Sequence, residues 1–318
     1  MITTSIEGEA LYGGSEGLVR FEGGSYCMGT MFNIVAYGSH REQLELAITE
    51  ALAEARRLDG MLSNYRPESE LSQLNRVGSQ GPVNVSSEFF QFLLACHGYS
   101  EASEGAFDIT VGPLLNVSGF YKGAGRLPRP EQILQAFDKV GYKNIILDEQ
   151  NMTVRLAQEG MELDPGGIGK GFAVDKMAEI LKHHQVHSAL ISAGGSTIYG
   201  LGAPPNQPGW EVTIKDPRKP SQTAETVRLK DEAISTSGNY EKFIWADDKI
   251  WGHIMDPRTG YPAKGTLAVS VIAPRTVDSE AWTKPYFILG RAWIERNKSS
   301  NFRVFYCQDE PSIPCAWL

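Results

Sequence analysis

The spacing of apolar positions predicts several amphipathic helices, of which the strongest covers residues 41–62. Leu44, Ile48 and Leu52 recur there at helical intervals, while glutamate and arginine occupy the opposite face. Similar patterns predict shorter helices at residues 87–104, 131–139, 171–184 and 278–290. The glycine- and proline-rich residues 112–130 are predicted to form a loop.

Strand-like runs dominate the second half of the chain. Residues 188–193 (SALISA) and 267–273 (LAVSVIA) are rich in aliphatic side chains and are bounded by turn-forming residues. The full set of predicted strands comprises residues 28–37, 188–193, 210–215, 226–230, 267–273 and 302–307. Because the strands cluster instead of alternating regularly with helices, we expect an α+β fold with mixed or antiparallel sheets.

Composition and charge argue against some classes of function. The chain has 318 residues, with 30 Lys plus Arg against 38 Asp plus Glu and a formal net charge of −8. This acidic balance argues against broad contact with nucleic acid or with an anionic membrane surface. No apolar run approaches the ~20 residues of a membrane-spanning helix, so we expect no transmembrane segment.

Residues 1–25 lack the basic patch and apolar core of a secretory signal. We expect them to form a poorly ordered extension in front of a single domain over residues 26–318. The expected location is cytoplasmic for the chain as encoded, and periplasmic or membrane-associated if a leader was removed. The four cysteines show no metal-binding spacing. Cys307 and Cys315 are near enough in sequence to meet, but free thiols are expected.

Two glycine clusters are candidate anion sites. Residues 163–171 (LDPGGIGKG) place glycines and Lys170 at the mouth of a predicted helix, where backbone N–H groups and an ammonium suit a phosphate. The segment is neither a P-loop nor a dinucleotide fingerprint, and a turn with a helix cap explains it as well. Residues 192–200 (SAGGSTIYG) are open to two interpretations, a phosphate-binding nest or a tight turn.

Other candidate residues lie in three polar or mixed segments. Tyr65 is suited to stack on a flat heterocycle, although a tyrosine at the core edge is the commoner arrangement. Asp108 lies in an apolar stretch, so it is either a structural cap or a ligand contact. In residues 251–262 (WGHIMDPRTGYP), His253 is suited to acid–base chemistry and Arg258 to binding an anion. The alternative is a turn capped by its own side chains.

Taken together in chain order, these segments resemble one protein family. They are MGT at 28–30, LSNYRPESELSQLN at 62–75, GAFDITVGPL at 105–114, LDPGGIGKGFAVD at 163–175, ISAGG at 191–195, ISTSGNYEKF at 234–243, HIMDPRTGYPA at 253–263, and VSVIAP followed by FILG within 269–290. In this order they resemble the ApbE-type FAD:protein FMN transferases over nearly the whole chain. HIMDPRTGYP and LDPGGIGKGFAVD are the most specific pieces.

The resemblance implies a fold and an activity. Two intimate subdomains would enclose an FAD cleft. With Mg²⁺, the enzyme would transfer the FMN half of FAD to a Ser or Thr hydroxyl of a target flavoprotein and release AMP. This flavinylation is a post-translational modification, so the implied partners are FAD and an acceptor protein. Two alternatives stay open: an FAD pyrophosphatase that yields FMN and AMP, and a catalytically weakened FAD-binding protein.

The resemblance also assigns roles to residues. Met28 and Tyr65 would face the flavin, His253 would be the general base and Asp256 would be the second catalytic residue. The implied cofactor-binding residues are Met28, Tyr65, Ala106, Phe107, Asp108, Asp164, Lys170, Ile254 and Arg258.

One departure from the family concerns the metal. Family members hold Mg²⁺ with an Asp, a Thr four residues later and a backbone carbonyl that falls at Gly167. The ungapped register places Glu280 and Lys284 at the Asp and Thr positions, and an ammonium cannot ligate a cation. We expect Lys284 to pair with Glu280 and reach the FAD diphosphate, partly replacing Mg²⁺. A register shifted by one residue, which would use Ser279 and Thr283, is less favoured.

Overall fold

A computed structural model describes residues 2–3, 17–119, 125–126, 128–239, 243–246 and 249–318. Its α-helices are Arg41–Leu62 (α1), Glu70–Val77 (α2), Ser87–Ala102 (α3), Gly112–Val117 (α4), Pro130–Phe137 (α5), Gly169–His183 (α6), Thr276–Leu289 (α7) and Arg291–Asn297 (α8). Its strands are Ile2–Thr3 (β1), Val19–Cys27 (β2), Thr30–Gly38 (β3), Val83–Asn84 (β4), Ile145–Asp148 (β5), Thr153–Leu156 (β6), Ser188–Ala193 (β7), Thr197–Leu201 (β8), Trp210–Asp216 (β9), Lys219–Leu229 (β10), Glu232–Gly238 (β11), Phe243–Ala246 (β12), Lys249–Gly252 (β13), Thr266–Ala273 (β14), Arg303–Gln308 (β15) and Ala316–Trp317 (β16).

An eight-stranded sheet forms the centre of the fold, in the order β16–β15–β14–β11–β8–β7–β3–β2. Every neighbouring pair in it is antiparallel. Side chains alternate between two buried faces, so that Ile34 and Ala36 of β3 lie in one apolar cluster and Val35 lies in another. The predicted α+β fold with antiparallel sheets is confirmed. Because both faces of the central sheet are covered, β7 (SALISA) has apolar side chains on both sides, so its sequence is a continuous apolar run and not an alternating one.

Helices cover one face of the sheet and a small sheet covers the other. Ile48 and Leu58 of α1 and Met177 of α6 lie in the same core cluster as the inner face of β3 and β7. The three-stranded sheet β1–β9–β10 packs on the opposite face through Val212 and Ile214. The first cluster extends to α3 and β6, so the helical part of the chain shares its core with the central sheet. Within the described ranges, no helix is both long and apolar enough to cross a membrane.

The predicted N-terminal extension is wrong for residues 19–25. They belong to β2, which pairs with β3 along its whole length. The glycines that made this segment look loop-like have a packing role, because a Cβ at Gly23 would lie 2.7 Å from Cγ2 of Ile48. Ile2–Thr3 pairs with β9, and most of the remaining extension lies outside the described residues.

The predicted loop at residues 112–130 is wrong for its first part. Residues 112–117 form α4, in which Pro113 occupies the first turn and Leu114 is fully buried. Proline is tolerated at that position because the first N–H groups of a helix have no intrahelical partner. Residues 120–124 and 127 lie outside the described part of the chain.

A disulfide ties the C-terminal segment to the central sheet. Cys307 of β15 is bonded to Cys315, so the expectation of free thiols is wrong for this pair, whereas Cys27 and Cys96 are free and buried. Arg218 supports the enclosed loop by donating to the backbone carbonyls of Gln308 at 2.8 Å and Ile313 at 2.9 Å. The two cysteines are only eight positions apart in the sequence, but they pair because the chain after β15 turns back toward that strand.

Loss of the disulfide is expected to destabilise the protein. Cys315→Ser should lower the free energy of unfolding by about 2–3 kcal/mol, the chain-entropy value for a loop of this size. Urea denaturation followed by tryptophan fluorescence measures the change. Reductant should destabilise the wild type by the same amount and leave the variant unaffected. Equal denaturation midpoints for the oxidised and reduced wild type would contradict the bond.

Candidate functional site

The turn Pro165–Gly167 is held against the segment that carries Tyr65. Asp164 caps this turn, since one of its carboxylate oxygens accepts the N–H of Gly166 at 2.9 Å. The other oxygen accepts the side-chain amide of Asn64 at 3.0 Å. Tyr65 is 69% exposed, and partial burial together with the negative charge of Asp164 raises its pKa. The structure therefore brings the predicted residues Tyr65 and Asp164 together.

Met28 occupies the tip of the β2–β3 hairpin and is anchored beside the same segment. Met28 (φ 49°) and Gly29 (φ 73°) both adopt left-handed backbone conformations, as a two-residue hairpin turn requires. The N–H of Met28 donates to Asp59 of α1 at 3.0 Å. Arg66 donates to the other oxygen of Asp59 at 3.2 Å. Asp59 therefore binds both Met28 and the residue that follows Tyr65 in the chain.

The first turn of α7 is docked onto α6. Asp175 of α6 accepts the N–H groups of Thr276 at 2.7 Å and Val277 at 2.9 Å, which satisfies donors that a helix N-terminus leaves unpaired. Gly171 lets the two helices approach, because a Cβ there would lie 2.6 Å from the carbonyl oxygen of Thr276. This docking positions the face of α7 that carries Glu280.

Gly171→Ala is expected to lower the free energy of unfolding by about 1–3 kcal/mol, because the added methyl group meets backbone that cannot give way easily. Gly169→Ala is the matched control in the same helix, since its Cβ would lie 3.5 Å from that of Pro165, an ordinary contact. The control should stay within about 1 kcal/mol of the wild type. Chemical denaturation compares the two, and a neutral Gly171→Ala would show that α6 and α7 are less tightly packed.

Glu280 is a buried carboxylate, and both of its oxygens accept hydrogen bonds. Only 2% of its side chain is exposed, against 22% for Lys170, whose ammonium binds Oε1. Oε2 accepts the N–H of Gly171 at 2.5 Å, and the hydroxyl of Thr197 lies 3.4 Å from Oε1. Burial opposes ionisation, but the charges of Lys170 and Lys284 and these hydrogen bonds outweigh it, so the pKa of Glu280 is lowered. Lys170, predicted to bind FAD, forms an ion pair with Glu280.

Lys284 lies one helical turn after Glu280 and faces the glycine turn. Its ammonium donates to the backbone carbonyl of Glu280 at 3.3 Å. A Cβ at Gly167 would lie 3.3 Å from Cε of Lys284 and 3.6 Å from the ring of Phe107. The expected pairing of Lys284 with Glu280 therefore runs through the carbonyl oxygen, while the carboxylate binds Lys170.

The alternative register on α7 points elsewhere. The hydroxyls of Ser279 and Ser235 lie 2.8 Å apart, and Ser237 donates to Thr283 at 2.8 Å. All four hydroxyls are fully or almost fully buried. Ser279 and Thr283 of α7 therefore point toward β11, which carries Ser235 and Ser237, and not toward the glycine turn. The ungapped register is therefore the one that brings side chains of α7, beginning with Glu280, to the candidate site.

The second glycine cluster is the tight turn between β7 and β8, one of the two arrangements left open by the sequence. Gly194 (φ 63°) and Gly195 (φ 69°) adopt left-handed backbone conformations. A Cβ at Gly194 would collide with the hydroxyl of Thr30 at the hairpin tip. Thr197 directly follows the turn and reaches Glu280. The turn thus links the Met28 hairpin to the Glu280 cluster.

Ala106, Phe107 and Asp108 lie behind the glycine turn and are almost fully buried. One oxygen of Asp108 accepts the N–H and the hydroxyl of Thr110 at 2.8 and 2.6 Å, and the other accepts the N–H of Tyr142 at 2.8 Å. Desolvation raises its pKa despite these bonds. Asp108 is therefore a structural cap, and the predicted contacts of the three residues with FAD stay predictions.

The segment that follows β13 bridges α7 to the helical part of the chain. Ile254 packs in one cluster with Phe287 of α7, and Met255 packs in another with Leu114 of α4. His253 is partly buried at the start of this bridge. Ile254, the residue next to His253, thus packs with the helix that carries the Glu280 cluster.

Asp256 and Arg258 bind each other. Nε and Nη2 of Arg258 donate to the two carboxylate oxygens of Asp256 at 2.9 Å each, and the Arg258 N–H donates at 3.0 Å. The Asp256 carbonyl accepts the N–H of Gly260 at 2.9 Å. This is the self-capped turn that the sequence left as an alternative. The fork of Arg258, predicted for FAD, is engaged by Asp256, so both residues have a structural role in the bridge.

The three positions assigned to a metal lie together but do not fit a divalent cation. Gly167 is covered by the side chain of Lys284, and both oxygens of Glu280 already accept hydrogen bonds from Lys170 and Gly171. Mg²⁺ requires a near-octahedral shell of oxygen ligands. Over the described ranges, no group of three or more His, Cys, Asp or Glu side chains could hold a metal ion.

Comparison with known proteins identifies the family. The model of the ApbE family matches residues 28–304. The chain belongs to the ApbE family. The FAD:protein FMN transferase of Klebsiella pneumoniae (strain 342) is 32% identical over 254 residues, 79% of this chain and 77% of that protein. The FAD:protein FMN transferase of Treponema pallidum (strain Nichols) is 30% identical over 294 residues, 87% of this chain and 81% of that protein.

Solved ApbE structures share the fold over nearly the whole chain. The ApbE protein of Thermotoga maritima superposes with a TM-score of 0.85 at 28% identity, covering 94% of this chain and 96% of that one. The flavinyl transferase ApbE of Pseudomonas stutzeri, in its apo form, gives a TM-score of 0.82 at 26% identity, with 95% and 94% covered. The arrangement of helices and antiparallel sheets in this chain is therefore that of solved ApbE proteins.

Sequence reasoning missed several residues that position this ApbE site. Asp59 anchors Met28, Asn64 holds Asp164, and Thr197 contacts Glu280. Nothing in the spacing of these residues sets them apart from ordinary helix, loop and strand positions. Asp175 is different, because it ends the LDPGGIGKGFAVD segment. A carboxylate in this specific segment of α6 was a signal that it caps another helix, and in the structure it caps the first turn of α7.

Proposed function

We propose that this ApbE-family chain is an FAD:protein FMN transferase, which moves the FMN half of FAD to a Ser or Thr hydroxyl of an acceptor protein and releases AMP. The observation that carries the proposal is the convergence of Tyr65, Asp164 and Lys284 on the Pro165–Gly167 turn. Similarity to proteins named FAD:protein FMN transferase supports the reaction.

The flavin is proposed to bind between the hairpin tip and the loop after α1. Tyr65 offers a largely exposed ring for stacking, and the thioether of Met28 is a polarisable neighbour for an aromatic system. The diphosphate then lies toward the Pro165–Gly167 turn and the start of α6. Backbone N–H groups and positive charge favour an anion at such a place.

The proposed reaction is a phosphoryl-type group transfer without oxidation or reduction. The acceptor hydroxyl oxygen attacks the phosphorus on the FMN side of the diphosphate. A phosphoester bond forms as the bond from that phosphorus to the AMP oxygen breaks, and AMP leaves with the bonding electrons. A hydroxyl is a poor nucleophile unless a base takes its proton, and His253 is our candidate for this base.

Incubation of the full chain with FAD and a candidate acceptor flavoprotein tests the proposal. Flavin fluorescence that stays on the denatured acceptor in a gel, and that is lost when the acceptor Ser or Thr is replaced by alanine, is the expected result. Free FMN and AMP without label would indicate an FAD pyrophosphatase. Intact bound FAD would indicate a binding protein, and either of these outcomes would contradict transfer.

The disulfide bears on where the reaction takes place. Bonds such as Cys307–Cys315 persist in oxidising compartments, which supports the second location expected from the sequence, periplasmic or membrane-associated after removal of a leader. Alkylation of thiols in cells, followed by mass spectrometry, tests this proposal. Modified Cys307 and Cys315 would contradict it.

A further inference from the structure

Two lysines and a buried carboxylate meet at Glu280. Lys170 of α6 forms an ion pair with the carboxylate, and Lys284 of α7 donates to the backbone carbonyl of the same residue. Asp164, at the start of the glycine turn, accepts hydrogen bonds from Gly166 and Asn64.

The two lysines have different environments. Lys170 binds the carboxylate of Glu280 directly, so its charge is largely neutralised there. Lys284 donates to a backbone carbonyl, and its methylene groups cover Gly167 beside the ring of Phe107. Lys284 is thus the cation of the cluster that is nearest to the turn at which the proposed function places the FAD diphosphate.

Two neighbouring ammonium groups attract an anion and repel a cation. A divalent ion placed between Glu280 and Gly167 would meet two ammonium groups within a partly buried region, where Coulomb repulsion is stronger than in water. A diphosphate at the same place would gain a charge-assisted hydrogen bond, and lysine is a common point-charge partner for phosphate.

We propose that Lys284, supported by the Lys170–Glu280 ion pair, supplies the positive charge on the FAD diphosphate and that no divalent cation binds between Glu280 and Gly167. This inference rests on the proposed function for the identity of the ligand. In the transfer reaction Lys284 would neutralise charge on the phosphate oxygens of FAD and of the departing AMP. It neither accepts nor releases a proton in that step.

Calorimetric titration of FAD into the full chain tests the inference without the transfer reaction. The Kd of the wild type should agree within about twofold between EDTA and excess Mg²⁺. Lys284→Met should raise the Kd by about tenfold to a hundredfold, the usual effect of one hydrogen bond from a charged group. Lys176→Met is the control on α6, because Lys176 pairs with Glu179 near the surface, and it should bind FAD as the wild type does.

A second variant keeps the test independent of folding defects. Glu280→Asp combined with Lys284→Thr recreates the family's pair, so it should bind Mn²⁺ in electron paramagnetic resonance titrations, whereas the wild type should not. Its FAD affinity should also become dependent on Mg²⁺.

Any of three results overturns the inference: Mg²⁺ tightens wild-type FAD binding more than tenfold, Lys284→Met leaves the Kd unchanged, or the wild type binds Mn²⁺ stoichiometrically. These outcomes differ from failure of the proposed function. Transfer that requires Mg²⁺ would refute the role of Lys284 alone, whereas metal-independent FAD binding without transfer would refute the transferase alone.

Discussion

Replacement of His253 by alanine is expected to slow FMN transfer by about 10²- to 10⁴-fold, the usual contribution of a general base. FAD binding should change little, because Asp59 of α1, and not the bridge after β13, holds Met28 and Arg66, the residue next to Tyr65. The rate of label appearance on the acceptor under single-turnover conditions measures the first effect. Titration of FAD measures the second.

His183→Ala is the matched control for His253→Ala. His183 is exposed at the end of α6, away from the glycine turn at the other end of that helix. The control should transfer FMN at the wild-type rate. If His253→Ala also retains the wild-type rate, another group takes the hydroxyl proton and the assignment of the base is wrong.

Glu280→Gln is expected to lower the free energy of unfolding by about 3 kcal/mol, because it leaves Lys170 beside a neutral amide in a largely buried position. The variant should also lose the orientation of Lys170 and the hydrogen bond from Gly171 to a charged oxygen. Chemical denaturation at neutral pH measures the loss. Glu179→Gln is the control, since Glu179 is 63% exposed in its pair with Lys176 and should cost no more than about 1 kcal/mol.

The effect of Glu280→Gln should depend on pH. Folding lowers the pKa of Glu280 from its ordinary value of 4.5, so the ion pair stabilises the fold above that value and the stabilisation is lost as pH falls through the lowered pKa. The difference in unfolding free energy between wild type and variant should be largest near neutral pH and shrink below pH 4.5. A difference that stays constant with pH would show that packing, and not charge, is responsible.

Segments with a strong local pattern were predictable from the sequence. The 41–62 helix has the predicted bounds because its apolar stripe alone determines which face is buried. The strand at 188–193 was also found, since its aliphatic run stands between clear turn residues. In contrast, β2 was missed because its glycines are needed for the close approach of α1, a contact that is not local in sequence.

The candidate site was predictable as a set of segments but not as a set of contacts. The glycine turn, Tyr65 and the α7 register were found, yet the partner of Lys170 lies 110 positions away at Glu280. No spacing rule connects two such residues. Arg258 shows the same limit, because the sequence offered both an anion contact and a self-capped turn, and only the fold places its fork on Asp256.

A crystal structure of the full chain with bound FAD tests the central claim most directly, namely that the loops around Met28, Tyr65 and Lys284 form one pocket for a flavin dinucleotide. We predict an isoalloxazine ring in contact with Met28 and Tyr65, and diphosphate oxygens within hydrogen-bonding distance of the Lys284 ammonium. Flavin density at any other place on the molecule, with no contact to these three side chains, would contradict the account.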